Sequence, residues 1–264
     1  MQKSNDNQLT FGGHLEVLRR MLFRILGVTL ALAIGVFVIK DIAWELLLAP
    51  SKSNFITYRI IEQTLQGLGL DFQFDEYNVD LIATELSSQF MTHVTTSIYL
   101  GLLLASPYIL LELFRFILPA LYDNERKYSV LVTIIIYSLF IIGVLMCYFM
   151  IFPISFRFLG TYSVSETISS MITLKSYIST FTSLTVVMGV VFQLPVIIFI
   201  LAKMGIVNFS ILAKYRKYAF FTITVISAII TPPDILSCLL VTFPLYFLYE
   251  CSIWVAKKVD KIKN

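Results

Sequence analysis

A short charged run, Asp123-Asn124-Glu125-Arg126-Lys127, separates two long apolar stretches, and Glu125 is the carboxylate in it best placed to do chemistry. A side chain fixed in so tight a loop cannot drift far, so Glu125 is read as a docking point for a positively charged ligand. The plainer alternative is a solvated acid beside Arg126 and Lys127, worth little in energy. Glu16, just before the first apolar run, is the second candidate, with an i,i+4 pair to Arg20 as its plainer alternative. Two such carboxylates would suit a ligand with two guanidinium groups, because arginine meets carboxylate in a planar, bidentate way.

Reactive groups for an enzyme are not gathered at one depth. The two histidines, His14 before the first apolar run and His93 at the far end of the second, fall near opposite faces, so neither a metal site nor a Ser-His arrangement follows. Aspartates are missing from the span interiors, and no G-x-x-x-x-G-K-[ST] loop is present for a nucleotide. No cofactor or metal is expected. Cys147, Cys238 and Cys251 sit in apolar segments without ligand spacing and read as small hydrophobes. Three polar groups do enter or border the spans, and such residues are functional candidates. Glu112 has Arg115 three positions on, which suggests an intrahelical pair. Glu250 lies within two turns of terminal lysines, where it can snorkel. Gln193 precedes Leu194-Pro195 and could satisfy a carbonyl freed by the proline, or a partner helix. Thr231-Pro232-Pro233-Asp234 reads as a rigid turn, with Asp234 capping the helix that follows.

The elements that must carry these groups are membrane helices. The chain is 58% hydrophobic and 14% charged, with a mean hydropathy of +0.82, far too apolar for one soluble core. Its net charge of +3 gives no argument for nucleic acid. The expected fold is all-α, one polytopic domain over residues 1–264, with six spans near 21–39, 95–118, 129–154, 177–202, 218–230 and 235–256. The polar start MQKSNDNQLTFGG lacks the marks of a removable signal peptide. Residues 40–90 form an acidic extramembrane loop with some helix, and Pro195 should bend the fourth span. The fifth span is short, since thirteen residues reach only ~20 Å, so the bilayer thins there or the helix hangs from one face. Six crossings place both termini on one side. Lys3, Arg19, Arg20, Arg24, Arg115, Arg126, Lys127, Lys203, Lys214, Arg216, Lys217 and the tail lysines 257, 258, 261 and 263 share that side, fifteen of the 20 Lys and Arg residues. The positive-inside rule makes it cytoplasmic.

Taken in order, these features resemble the TatC family, the multi-spanning receptor subunit of the twin-arginine protein translocase. The likeness rests on His14-Leu15 with Leu18-Arg19, Ala49-Pro50, Ser106-Pro107, Phe116, Pro119-Ala120-Leu121-Tyr122 with Glu125-Arg126, and Phe152-Pro153. It continues through Leu194-Pro195, Thr231-Pro232-Pro233-Asp234, and Pro244 with Tyr246 and Glu250. The resemblance implies a receptor for the paired arginines of signal peptides on folded passengers. It further implies assembly with single-span TatA- and TatB-type subunits, more than one copy of this chain in the assembly, and transport driven by the protonmotive force across a bacterial cytoplasmic membrane. Carried over by position, Glu125 is a main carboxylate for the arginine pair, Phe116 packs nearby, and the segment from His14 through Glu16 to Arg19 completes the site. Pro50 and Asp234 match outer-face positions, and the last two spans, with Cys238 and Glu250, resemble the surface where partners dock. Three positions depart from the family pattern. Val17 stands where the N-terminal acid usually falls, Glu16 being one residue earlier and thus rotated by about 100° on a helix. Gln193 replaces an intramembrane glutamate, and Cys238 replaces a glutamine.

Two other classes compete with this reading. A secondary transporter could use Gln193-Leu194-Pro195 as a broken-helix site, but no second half mirrors it. An intramembrane enzyme lacks the reactive residues.

Overall fold

Apolar runs in lipid must pair their own amides, so they coil into helices. The chain does this almost throughout the part that the computed structural model describes, residues 11–70, 80–117, 129–163, 165 and 171–263. In order come α1 (Phe11–Val38), α2 (Lys40–Leu48), a 3₁₀ turn (Ala49–Ser51), α3 (Ile56–Gly67), β1 (Leu81–Ile82) and α4 (Ser88–Ile117). After them come α5 (Ser129–Met146), a π turn (Cys147–Ile151), α6 (Phe152–Thr161), β2 (Ile172–Thr173) and α7 (Leu174–Val191). The chain ends in α8 (Leu194–Lys203), α9 (Phe209–Lys214), α10 (Arg216–Ile230) and α11 (Ile235–Lys263). Among the described residues five stretches, Leu15–Val38, Ser88–Leu113, Thr133–Thr161, Leu174–Lys203 and Ile235–Lys261, are long and apolar enough to cross a bilayer. The expected all-α fold needs one amendment: β1 and β2 pair in parallel, Leu81 with Ile172 and Ile82 with Thr173. The region expected to be a short fifth span is α10, whose 15 residues extend about 22 Å.

The described residues cluster into two compact units, one comprising those up to 40 and between 94 and 137, the other the remainder. In the first, α1 and α4 run antiparallel, with Ala33 against Gly101 and Arg24 against Glu112. A Cβ at position 101 would stand 2.7 Å from the Cα and N of Ala33, so only glycine permits this approach, as is common where membrane helices pack closely.

In the second unit prolines free carbonyls, and hydroxyls from distant segments satisfy them. Pro50 has no N–H to give the carbonyl of Leu46, four residues back, and the Tyr148 hydroxyl donates to that oxygen at 2.8 Å. Tyr177 and Ser51 donate to the next two carbonyls, Leu47 and Leu48, each at 2.8 Å, so the C-terminal end of α2 is satisfied by side chains. Pro153 likewise cannot serve Phe149, whose carbonyl accepts from Thr57, while Tyr58 donates to the Pro153 oxygen at 2.8 Å. Around these bonds Phe55, Tyr148, Phe149, Phe152, Phe156, Tyr177 and Phe181 stack mostly edge to face, and Arg157 lies 5.0 Å from the centre of the Tyr58 ring. Tyr177 is buried, so Tyr177→Phe strands the Leu47 carbonyl at a cost of about 1–3 kcal/mol. The expected readout is a lower melting temperature in detergent, with Ser183→Ala on the exposed face of α7 as an unshifted reference; equal melting temperatures for Tyr177→Phe and wild type would refute the assignment.

The fourth apolar stretch breaks where a bend was expected. Pro195 clashes with the carbonyl four residues before it, and that residue is Val191, where α7 ends. The carbonyl of Gln193 then accepts from Val196 and Ile197, each at 3.0 Å, as α8 begins. Ile198 and Ala202 of α8 pack with Ala256 and Val259 of α11.

Candidate functional site

Near the N-terminal end of α1 the helix turns Val17, Arg20, Met21 and Arg24 toward Glu112 and Phe116 of α4, and together they line a cleft of about 310 Å³. Positions 17, 20, 21 and 24 fall on one face at the i, i+3, i+4, i+7 spacing, as do 112 and 116 on α4. The cleft is charged. Glu112 is buried, its side chain only 11% exposed, and its Oε1 stands 3.8 Å from Nη1 of Arg24, which is 61% exposed. That separation is a charge contact, longer than a direct hydrogen bond. Arg20 is paired as well, to Glu16 one turn earlier.

Glu16 therefore takes the local i,i+4 pair that its spacing allowed, on the exposed surface of α1. Val17 faces the cleft in its place. Phe116 sits in the cleft as the sequence suggested. Arg19 lies around the helix from it, its guanidinium 5.6 Å from the centre of the Phe23 ring in an apolar groove with Leu15, Leu18, Leu22 and Leu26. Glu125 and the side chain of His14 lie outside the described residues. For Glu112 sequence spacing suggested Arg115, whose side chain is also outside them; the structure gives a partner on the facing helix, Arg24. That pairing was not legible from spacing, because it depends on the register of α1 against α4.

The remaining candidates belong to the second unit. Pro50 is buried in the 3₁₀ turn. Asp234 caps α11 as expected, its Oδ1 accepting from the Ser237 amide at 2.6 Å. It follows the turn that joins α10 to α11, and the two helices pack antiparallel through Phe220 on Tyr246, with ring centres 5.3 Å apart, and through Cys238, whose sulfur lies 4.0 Å from the Thr224 carbonyl. Glu250 does more than snorkel. Its Oε2 accepts from Arg216 of α10 at 2.9 Å and its Oε1 from the Tyr246 hydroxyl at 3.1 Å, so it fastens the start of α10 to α11. Gln193 stands at the break between α7 and α8. Among the described residues no group of three or more His, Cys, Asp and Glu side chains could hold a metal ion.

Comparison with known proteins shows the family. Residues 13–244 match the family model described as Sec-independent protein translocase protein (TatC). The TatC protein of Blattabacterium sp. subsp. Periplaneta americana is 33% identical over 265 residues, covering 99% of this chain and all of that one. The TatCy protein of Bacillus subtilis is 34% identical, covering 97% and 92%. A crystal structure of the twin arginine translocase receptor TatC is 29% identical and superposes with a TM-score of 0.73 over 94% of this chain and 99% of that one. The chain thus belongs to the TatC family of Sec-independent protein translocase subunits, multi-pass membrane proteins of protein transport.

Proposed function

We propose that this chain is the receptor and core subunit of a bacterial twin-arginine translocase, binding the paired arginines of signal peptides on folded proteins at its cytoplasmic face. The observation that carries the proposal is the cleft at the end of α1. It joins a buried carboxylate, Glu112, to the aromatic Phe116 at the start of the segment that leads to Glu125. Family membership supports it, since relatives in that family include a structure named as the twin arginine translocase receptor. In this reading α10 is a sixth, short crossing, both termini are cytoplasmic, and the fifteen-to-five distribution of Lys and Arg sets that orientation. The paired α10 and α11 present an apolar outer surface, including Phe221, Ile229, Leu239, Phe243 and Phe247, which suits single-span partner subunits. Further copies of the chain would join the assembled complex. No catalytic step is assigned, and the work of transport comes from the protonmotive force.

The test is site-specific photocrosslinking in native membranes from positions 125, 116 and 16 to a twin-arginine precursor. Crosslinks are expected from 125 and 116 and are expected to vanish when the two arginines of the precursor become lysines. Position 16, turned out of the cleft, should give the weakest adduct. Adducts of equal strength with the lysine precursor would overturn the proposal.

A further inference from the structure

The last turns of α11 combine depth, aromatic rings and charge in one exposed face. From Ile235 the helix rises about 29 Å to Trp254, close to the ~30 Å of bilayer hydrocarbon, so Trp254 falls where acyl chains give way to headgroups. It is 59% exposed, and the exposed positions after it are Lys257, Lys258 and Lys261, at the i, i+3, i+4 and i+7 spacing of one helix face. Ala256 and Val259, turned the other way, are buried against Ile198 and Ala202 of α8. Aromatic rings hold two of these ammonium groups in place. Lys258 sets its Nζ 3.5 Å from the centre of the Trp254 ring, and Lys257 sets its own 5.3 Å from the centre of the Phe209 ring of α9. Exposed Lys214 closes α9, which is tied to α11 by the Phe209 amide donating to Asp260 at 2.8 Å. Positive charge is in excess here: residues 203–217 hold four Lys and Arg and no acid, and residues 250–261 hold three against two acids. Of those acids, Asp260 accepts from Phe209, and Glu250 accepts from Arg216 and Tyr246.

We infer that the stripe of Trp254, Lys257, Lys258 and Lys261, with Phe209 and Lys214 beside it, seats the headgroup phosphate of an anionic phospholipid from the leaflet at this end of α11. The inference goes beyond the proposed receptor function and needs only that α11 crosses the bilayer. Lysine binds phosphate as a point charge with three rotatable donors, and an ammonium resting on a ring face keeps donors free for phosphate oxygens. The three lysines rise about 5–10 Å beyond Trp254, the depth of the headgroup layer. Trp254 lies flush with the acyl boundary, where an indole's apolar body and polar N–H both find a suitable neighbour. A zwitterionic lipid carries its own cation, which the lysines repel, so the seat selects for net negative charge. A soluble anion can reach the lysines but gains nothing from Trp254. Each basic residue near an anionic surface strengthens attachment roughly fivefold, so the stripe fixes the depth of α11 and of the α8 and α9 segments packed on it.

The chain has two tryptophans, Trp44 and Trp254, so Trp44→Phe leaves a single fluorescent reporter in the proposed seat. The full-length variant is reconstituted in phosphatidylcholine vesicles containing phosphatidylglycerol as a minor component, with bromine on the acyl chains of one lipid or the other. At an ionic strength of about 0.1 M, brominated phosphatidylglycerol is expected to quench Trp254 several-fold more per lipid than brominated phosphatidylcholine. The excess should disappear at about 1 M, where charges are screened within ~3 Å. It should also disappear when Lys257→Gln, Lys258→Gln and Lys261→Gln are combined, while Lys175→Gln at the start of α7 should retain it. Because the ratio compares two quenchers in one protein, removing the Lys258 ammonium from the indole ring does not itself change it. A second measurement leaves both tryptophans in place: in detergent, phosphatidylglycerol should raise the melting temperature of the wild-type protein more than that of the triple lysine variant, and inorganic phosphate at equal concentration should raise neither. Equal quenching by the two lipids, an excess that survives the triple substitution, or equal stabilisation of wild type and triple variant would overturn the inference. Stabilisation by inorganic phosphate as large as that by the lipid would reveal an anion site fed from water and overturn the lipid assignment.

Discussion

Gly101→Leu is expected to lower the melting temperature of the detergent-solubilised protein by about 6–12 °C, the shift that ~3 kcal/mol produces in a chain of this size. The reason is where the new atoms would go. A Cβ at position 101 meets the Cα and N of Ala33 at 2.7 Å and its Cβ at 2.8 Å, and the first two are backbone atoms that cannot rotate aside. Overpacking of this kind costs typically about 1–3 kcal/mol when side chains yield, and here α1 itself must move away from α4. Because Ala33–Gly101 and Arg24–Glu112 are contacts of one helix pair, the displacement also shifts the cleft, and peptide binding should fall together with stability. Gly27→Ala on α1 is the matched reference. Nothing lies within 4 Å of a Cβ there, so it should leave the melting temperature unchanged or raise it slightly, alanine being the better helix former. A similar loss from both substitutions would show that glycine in α1 and α4 matters for some reason other than close approach.

How much of this could be read from the sequence depended on whether a feature is local. Apolar runs set the positions of the five long stretches, and their ends moved where a neighbour overrode composition. The third stretch continues past Ile154 through Ser155 and Arg157 to Thr161 because Arg157 is laid over the Tyr58 ring and Ser155 is buried among the aromatic residues of the second unit. The fourth was expected to bend at Pro195, and the steric clash with Val191 was the right physics, but its effect is a break into two helices. Asp234 as a cap and Glu16 with Arg20 as an i,i+4 pair were both legible, since each needs only near neighbours. The contacts of Glu112 with Arg24 and of Glu250 with Arg216 were not, because each reaches a side chain on another helix. The same holds for the hydroxyls that serve proline-freed carbonyls. Pro50 and Pro153 announce that Leu46 and Phe149 will need donors, while only the fold determines that Tyr148 and Thr57 supply them.

Glu125→Ala is expected to abolish crosslinking of a twin-arginine signal peptide while leaving membrane insertion intact. The two outcomes separate because they depend on different residues. Insertion and orientation follow the apolar stretches and the placement of Lys and Arg, to which acids contribute little, and the substitution alters neither the spans nor Arg126 and Lys127 beside it. Recognition, in the proposed reading, depends on a fixed anion. Removing one partner of a charge-assisted pair typically costs 2–5 kcal/mol, which at ~1.4 kcal/mol per tenfold is roughly a 30-fold loss or more, enough to take crosslinking below detection. Glu125→Gln keeps the shape and should lose nearly as much, whereas Glu125→Asp, with the charge drawn back by one methylene, should retain part of it. Undiminished crosslinking in Glu125→Ala, or labelling that places position 125 on the side opposite the tail lysines, would remove Glu125 from the site and leave Glu112 as the carboxylate around which to search again.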